Sequence, residues 1–389
     1  MYVYGIILPM IISEVSAVLK KHIHYFDYLR IIAAISVVYM HIAAIPLRST
    51  LNTNWHIINL FTSFAFTAVP LFFMMSGYLV LSDERTLDIK LLFKKRLPHL
   101  IVPLIAYTVI AIFWKLCRAD DFSLSSFYTA LISSLSQPAW VHFWYMYTLI
   151  ALYCISPIIC AALSKLDKNG HIFIICIIAL ISLRSALQAI LPDSLDALLN
   201  LDIINKLTFF GGHLGTFILG YYLGRLERKI PMPLLILCAC ITLAAITFGT
   251  YHLTRQTGGY NQAFQNQSAG FEILLASCIF LIFKQSCDYE CRILKYVPVI
   301  PLSLAIYLMH NIVISVLEHY KYITEIVTFF DTALITAIIF AISYFIAKTL
   351  ASLPLLCFPI TGLTFRSACS SCNWIYTFKN IFSKNTTSQ

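Results

Sequence analysis

The chain is predicted to be an all-α, polytopic integral membrane protein with about ten transmembrane helices and both termini in the cytoplasm. Three observations predict it. Of 389 residues, 59% are hydrophobic and only 12% charged, with a mean hydropathy of +0.81. A soluble domain carries about twice that charge fraction, so lipid must solvate much of this surface. Apolar runs also recur at the ~20-residue length that crosses a bilayer as a helix. Finally, with the N-terminus placed inside, nineteen of the 27 basic residues fall in inside segments and seven in outside segments, Arg30 lying in the first span. Such a bias is the charge signature of a multi-pass topology. Strands are excluded by the length and continuity of the runs, which lack the alternation of a membrane barrel.

The first span covers 29–47 and holds Arg30 and His41. Eleven steps of 100° end about 20° past three full turns, so both side chains share one helix face, about 16 Å apart along the axis. Ionisable groups in spans are costly and point to function. Singly, Arg30 also reads as a snorkelling anchor and His41 as a packing hydrogen bond. Their shared face favours a chemical role. Arginine suits phosphate binding, and a neutral imidazole suits general-base work or transient acyl carriage.

The second span, 59–80, ends with Ser76 and Gly77, a pair that helix packing alone explains. Lys94, Lys95 and Arg96 precede the third span, 99–117, and read either as a positive-inside anchor or as a phosphate patch beside Arg30. The fourth, 141–163, opens on His142, Trp144 and Tyr145. Its aromatics suit an interfacial belt, whereas His142 suggests an acceptor site. The fifth and seventh spans are 171–191 and 232–252. The sixth, 207–224, contains Gly211/Gly215 and Gly220/Gly224, two GxxxG pairs that favour close packing, with His213 between them as a weaker site candidate. The loop 253–268 is polar with interleaved aromatics, a surface that fits sugars as well as plain solvation. The eighth span, 268–284, carries Glu272, a carboxylate that needs a partner, which His41 or His213 could supply. The ninth, 301–319, carries Tyr307 and His310, neighbours at i, i+3. The tenth is 328–353.

Three domains follow: an N-terminal extension (1–21), the transmembrane domain (22–353) and a cytoplasmic tail (354–389) expected to be partly disordered. Most of the twelve cysteines sit in apolar runs as small hydrophobes. Cys369 and Cys372 form a CxxC without a second pair nearby, so no metal is expected. The net charge of +9 lies in short loops where it sets topology, so no nucleic-acid partner is expected.

Taken in order, these segments resemble membrane-bound acyltransferase family 3, the O-acyltransferases of surface glycans. The resemblance rests on Asp27 to Arg30, Arg30 to His41, Phe73 to Tyr78, Lys94 to Arg96, His142 to Tyr145 and Tyr307 to His310, within residues 22–352. Within the family the chain is similar to the compact type that acetylates enterobacterial common antigen, without an extracytoplasmic hydrolase-like domain. Two positions depart from the family pattern: Ile31 stands where glycine is usual, and lysines occupy part of the basic motif, which reduces bidentate phosphate contacts.

The resemblance implies acetyl transfer from acetyl-CoA, as a substrate rather than a resident cofactor, to a glycan or lipid-linked glycan in a bacterial inner membrane. It implies His41 and Arg30 as catalytic. The donor-side candidates are Lys94, Lys95, Arg96, Ser76 and Tyr307; the acceptor-side candidates are His142, Trp144, Glu272 and His310. On physics alone, a transporter or glycolipid flippase is the rival. A noncatalytic scaffold leaves the Arg30–His41 face unexplained.

Overall fold

The computed structural model describes residues 22–49, 51–188, 202–291, 294, 297–323 and 326–377, with backbone alone for 202–211. Residues 1–21, and with them the extension inferred from sequence, lie outside the described residues, as does the end of the tail. Every regular element among the described residues is helical. We number the helices α1 His24–Leu47, α2 Thr53–Ala65, α3 Ala68–Leu81, α4 Pro98–Arg118, α5 Leu124–Ser133, α6 Trp144–Lys165 and α7 Lys168–Gln188. Then follow α8 Asp202–Arg225, α9 Met232–Thr257, α10 Gly270–Ser286, α11 Ser303–His319, α12 Phe329–Leu350, α13 Pro354–Thr361 and α14 Phe365–Ser371. Eight helical stretches among the described residues are long and apolar enough to cross a membrane. The other two expected spans are also helices: α8, and the 17-residue α10.

Helix α1 is the centre of the bundle. It packs against α2, α3, α10, α11 and α12, and Leu29, Ala33, Ile42 and Ala43 are fully enclosed. This burial explains why α1 is apolar nearly all round rather than on one stripe.

The second expected span is two helices, broken at Phe66–Thr67. Pro70 is the cause: it has no N–H to offer the Phe66 carbonyl, and its ring crowds that same carbonyl. Pro98 acts in the same way on the Lys94 carbonyl. There the chain widens into a π turn over Leu92–Arg96, where the Leu97 N–H donates to Leu92 O at 2.9 Å. Helix α5, unforeseen in the sequence, exposes Leu124, Tyr128 and Ile132 at i, i+4, i+8. That apolar edge suits a helix lying at the membrane interface.

Glycines set the crossing of α3 and α8. A Cβ on Gly77 would stand 1.8 Å from Phe217 O, and one on Gly220 would stand 2.0 Å from Met74 O. The GxxxG packing expectation therefore holds for Gly220 and Gly224, the latter lying against the Tyr78 ring. It does not extend to Gly215, where an added Cβ meets Ile178 at an ordinary 3.6 Å. Gly220→Ala is expected to cost about 1–3 kcal/mol by overpacking against backbone, while Gly215→Ala keeps wild-type stability. Thermal unfolding of the two purified variants checks this, and equal behaviour would refute the close-crossing account.

The polar loop after α9 turns inward. Gln265 Nε2 donates to Asn59 Oδ1 at 2.8 Å and to Ser63 Oγ at 2.9 Å, and Tyr260 donates to its Oε1. Asn59 in turn donates to Thr247 O at 2.9 Å. The tail is folded through residue 377: His99 Nδ1 pairs with Gly362 O, and Lys348 Nζ sits 4.3 Å from the Trp374 ring centroid. Cys357 and Cys372 are enclosed here, and burial raises the Cys372 thiol to about 11. It therefore stays protonated at neutral pH, which suits a packed thiol better than a metal ligand.

Candidate active site

Three histidines from three separate segments converge beside α1. His41 comes from α1, His142 from the 3₁₀ turn Val141–Phe143 that leads into α6, and His310 from α11. Their ring centroids lie 5.9 Å (His41–His142), 5.1 Å (His41–His310) and 4.8 Å (His142–His310) apart. His142 and His310 are buried, at 4% and 0% exposure.

The hydrogen bonds around the cluster assign its ring nitrogens. His310 Nδ1 lies 2.6 Å from the Tyr307 carbonyl, which can only accept. Nδ1 therefore carries the proton, and in the neutral ring Nε2 carries the lone pair. The Asn311 amide nitrogen stands 2.7 Å from His142 Nδ1; with the amide so oriented it donates, which puts the proton of His142 on Nε2. The Tyr307 hydroxyl donates to the His142 carbonyl, tying the 3₁₀ turn to α11. The Nε2 atoms of His142 and His310 are buried without a hydrogen-bond partner among the described residues. Such an orphaned group costs about 1–3 kcal/mol, so the cluster is primed for a polar occupant. It offers one acceptor, one donor and the imidazole of His41.

Arg30 stands on the same flank of α1, towards the end of the bundle that carries the basic loops. Asp27, Tyr153 and Tyr145 stand near enough to act on it electrostatically, and no hydrogen bond or ion pair holds it among the described residues. Ser76 of α3 faces both tyrosine hydroxyls. The Tyr145 ring meets Tyr307 at 5.4 Å, and Tyr307 meets His142 at 5.5 Å. A column of Arg30, Ser76, Tyr153, Tyr145 and Tyr307 thus runs along the bundle to the histidines. Arg30 and His41 both look towards the α6 segment, as their eleven-residue spacing requires.

Of the remaining sequence candidates, Arg96 stands near enough to Tyr153 of the column to act on it electrostatically. Arg96 is committed: Nη2 donates to Asp83 Oδ2 at 2.8 Å and Nη1 to Thr86 Oγ1 at 2.6 Å, while Arg85 grips the same Asp83. Arg96 therefore closes the turn after α3, and only Lys94 and Lys95 stay exposed. Trp144 lies against the His213 ring at 4.9 Å, and Phe73 meets the same ring at 4.9 Å. Glu272, in the first turn of α10, is 0% exposed, and neither carboxylate oxygen has a partner among the described residues. Neither His41 nor His213 pairs with it, because both rings are engaged across other helices.

Sequence reasoning missed Asn311 and Tyr153. Asn311 carried a readable signal, since an amide beside His310 in mid-span needs a partner. Tyr153 had none, being one of many aromatics in an apolar run.

Two cavities open at the basic end. One, of about 410 Å³, is lined by His22, Tyr78, Ser82, Lys284 and Asp288. The other, of about 640 Å³, adds Arg225, Arg228 and Lys229. The acyltransferase 3 family matches over residues 23–353, through a model described as an acyltransferase domain. No curated protein and no solved structure matches the chain.

Proposed function

Because the chain belongs to membrane acyltransferase family 3, we propose that it moves an acetyl group from cytoplasmic acetyl-CoA to a hydroxyl of a cell-surface polysaccharide or its lipid-linked precursor. The membrane is the bacterial inner membrane. The observation that carries the reading is the cluster of His41, His142 and His310, joined to Arg30 by a polar and aromatic column.

The donor enters at the basic end. Arg30, with Lys94 and Lys95, draws its phosphates, and Ser76 and Tyr307 flank the arm that carries the thioester. About 16 Å of helix separates Arg30 from His41, a span that an extended pantetheine covers. The acceptor hydroxyl approaches from the opposite end, past His142. Its oxygen attacks the thioester carbonyl carbon, the carbon–sulfur bond breaks, and the hydroxyl proton passes to His41 and then to the CoA thiolate. A relay through an acetylated His41 balances equally: the imidazole displaces the thiolate first, and the hydroxyl then takes the acetyl group. His310 Nε2 supplies a second lone pair beside His41, and the His142 Nε2 proton faces developing negative charge. Glu272 and Trp144 stand on the acceptor side, Trp144 by shaping the wall with His213.

Family membership replaces the transporter reading. Surface glycans from cells with wild-type protein, His41→Ala or an empty vector test the proposal by mass spectrometry. A gain of about 42 mass units per modified sugar, the mass of an acetyl substituent, is expected with wild type alone. No mass difference, with all proteins well expressed, would overturn it.

A further inference from the structure

The start of α1 holds a second constellation, of which only Asp27, whose charge acts on Arg30, touches the acyl-transfer site. His22, His24 and Asp27 each present a ligand atom, and these atoms all lie within 4.8 Å of one another. His24 and Asp27 are i, i+3 on the first turn of the helix and so share a face. His22 reaches the same face from the extended residues before it, its ring centroid 5.0 Å from that of His24.

We propose that His22, His24 and Asp27 form a binding site for a divalent transition-metal ion of the zinc type. Zinc takes imidazole nitrogen at 2.0–2.1 Å and carboxylate oxygen at 2.0–2.2 Å, usually from four donors. A tetrahedral shell of those lengths spaces its ligand atoms at about 3.3 Å, so the three groups need only side-chain adjustment to close on an ion. The two imidazoles and one carboxylate suit zinc in preference to calcium or magnesium, which take oxygen donors.

Two orphaned atoms point to an occupant. His22 Nε2 lies 2.5 Å from Asp27 Oδ2, a contact that accounts for one carboxylate oxygen. Among the described residues, Asp27 Oδ1 and His24 Nδ1 are both buried without a partner, and Asp27 is only 7% exposed. Arg30, one turn further on, leaves Oδ1 unbonded. A cavity of about 200 Å³ opens beside His22 and Asp27 and brings in the Cys291 thiol, with Ser371 and Tyr376 on its far wall. The ion's fourth position faces this space. The Tyr28 hydroxyl, which donates to Tyr289 O at 3.3 Å, already holds the segment after α10 against α1. A bound ion would therefore tie the start of α1 to that segment and to the tail. The zinc-binding readout does not depend on the acyl-transfer reading.

The test uses the tag-free full chain in detergent, stripped with a chelator and then equilibrated with zinc. Elemental analysis should find about one zinc per chain, and zinc should raise the melting temperature. In the His22→Ala/His24→Ala double variant the affinity should fall at least about tenfold, and the zinc-dependent melting shift should vanish. His22→Ala alone, at a mostly exposed side chain, guards against misfolding and should show the same loss of affinity. A wild-type chain that retains no stoichiometric zinc, or variants that bind it as tightly as wild type, would overturn the proposal.

Discussion

His41→Ala is expected to lower the acetyl-transfer rate by about 10²–10⁴-fold, the range a positioned general base contributes, with little change in stability. Both parts follow from the geometry. His41 makes no hydrogen bond among the described residues that its loss would orphan, and its neighbours are the rings of His142 and His310. The change therefore removes chemistry and leaves the packing of α1, which rests on Leu29, Ala33, Ile42 and Ala43. His310→Ala should also impair the reaction, but it frees the Tyr307 carbonyl and so costs stability as well. Because the three imidazoles act as one unit, the double variant His41→Ala/His310→Ala should be scarcely slower than His41→Ala. Initial rates with purified protein in liposomes, beside melting curves, separate the two effects.

Arg30→Ala should raise the donor KM with a smaller effect on kcat, since in the proposed reaction the guanidinium binds the donor's phosphates and not the reacting carbon. Hydrogen bonds to a charged group contribute about 1.5–3 kcal/mol, which is about 10- to 150-fold in affinity. Arg30→Lys should recover only part of it, because an ammonium cannot make the planar, two-pronged contact. Removal of Arg30 also leaves Asp27 without the cation one turn away. Donor titrations of both variants give the split, and a pure fall in kcat at unchanged KM would place Arg30 outside donor binding.

Much of this arrangement was legible in the sequence. The common face of Arg30 and His41 follows from helical periodicity alone, and the structure turns both towards the α6 segment. The glycine packing was legible too, though only the structure distinguishes Gly220, pressed on a carbonyl, from Gly215, which is not. The meeting of His41, His142 and His310 was not readable, because the packing of distant segments decides it. Arg96 shows the limit most clearly. In sequence it is one of three clustered cations; in space Asp83, thirteen residues earlier, claims it. The break at Phe66 was readable from Pro70 but is invisible to hydropathy, which stays high across it. The tail was expected to be partly disordered because it is mixed in composition and polar at its end; through residue 377 it is folded, with Cys357, Ala368 and Cys372 buried.

The central claim is that acetyl enters at the basic end and is passed on at His41. Labelled acetyl-CoA supplied to inside-out membrane vesicles, which present the cytoplasmic face, tests it most directly. Label should reach the glycan fraction with wild type, be absent with His41→Ala, and be absent when the donor is given to sealed right-side-out vesicles. Equal labelling in both vesicle orientations, or wild-type labelling by His41→Ala, would contradict it.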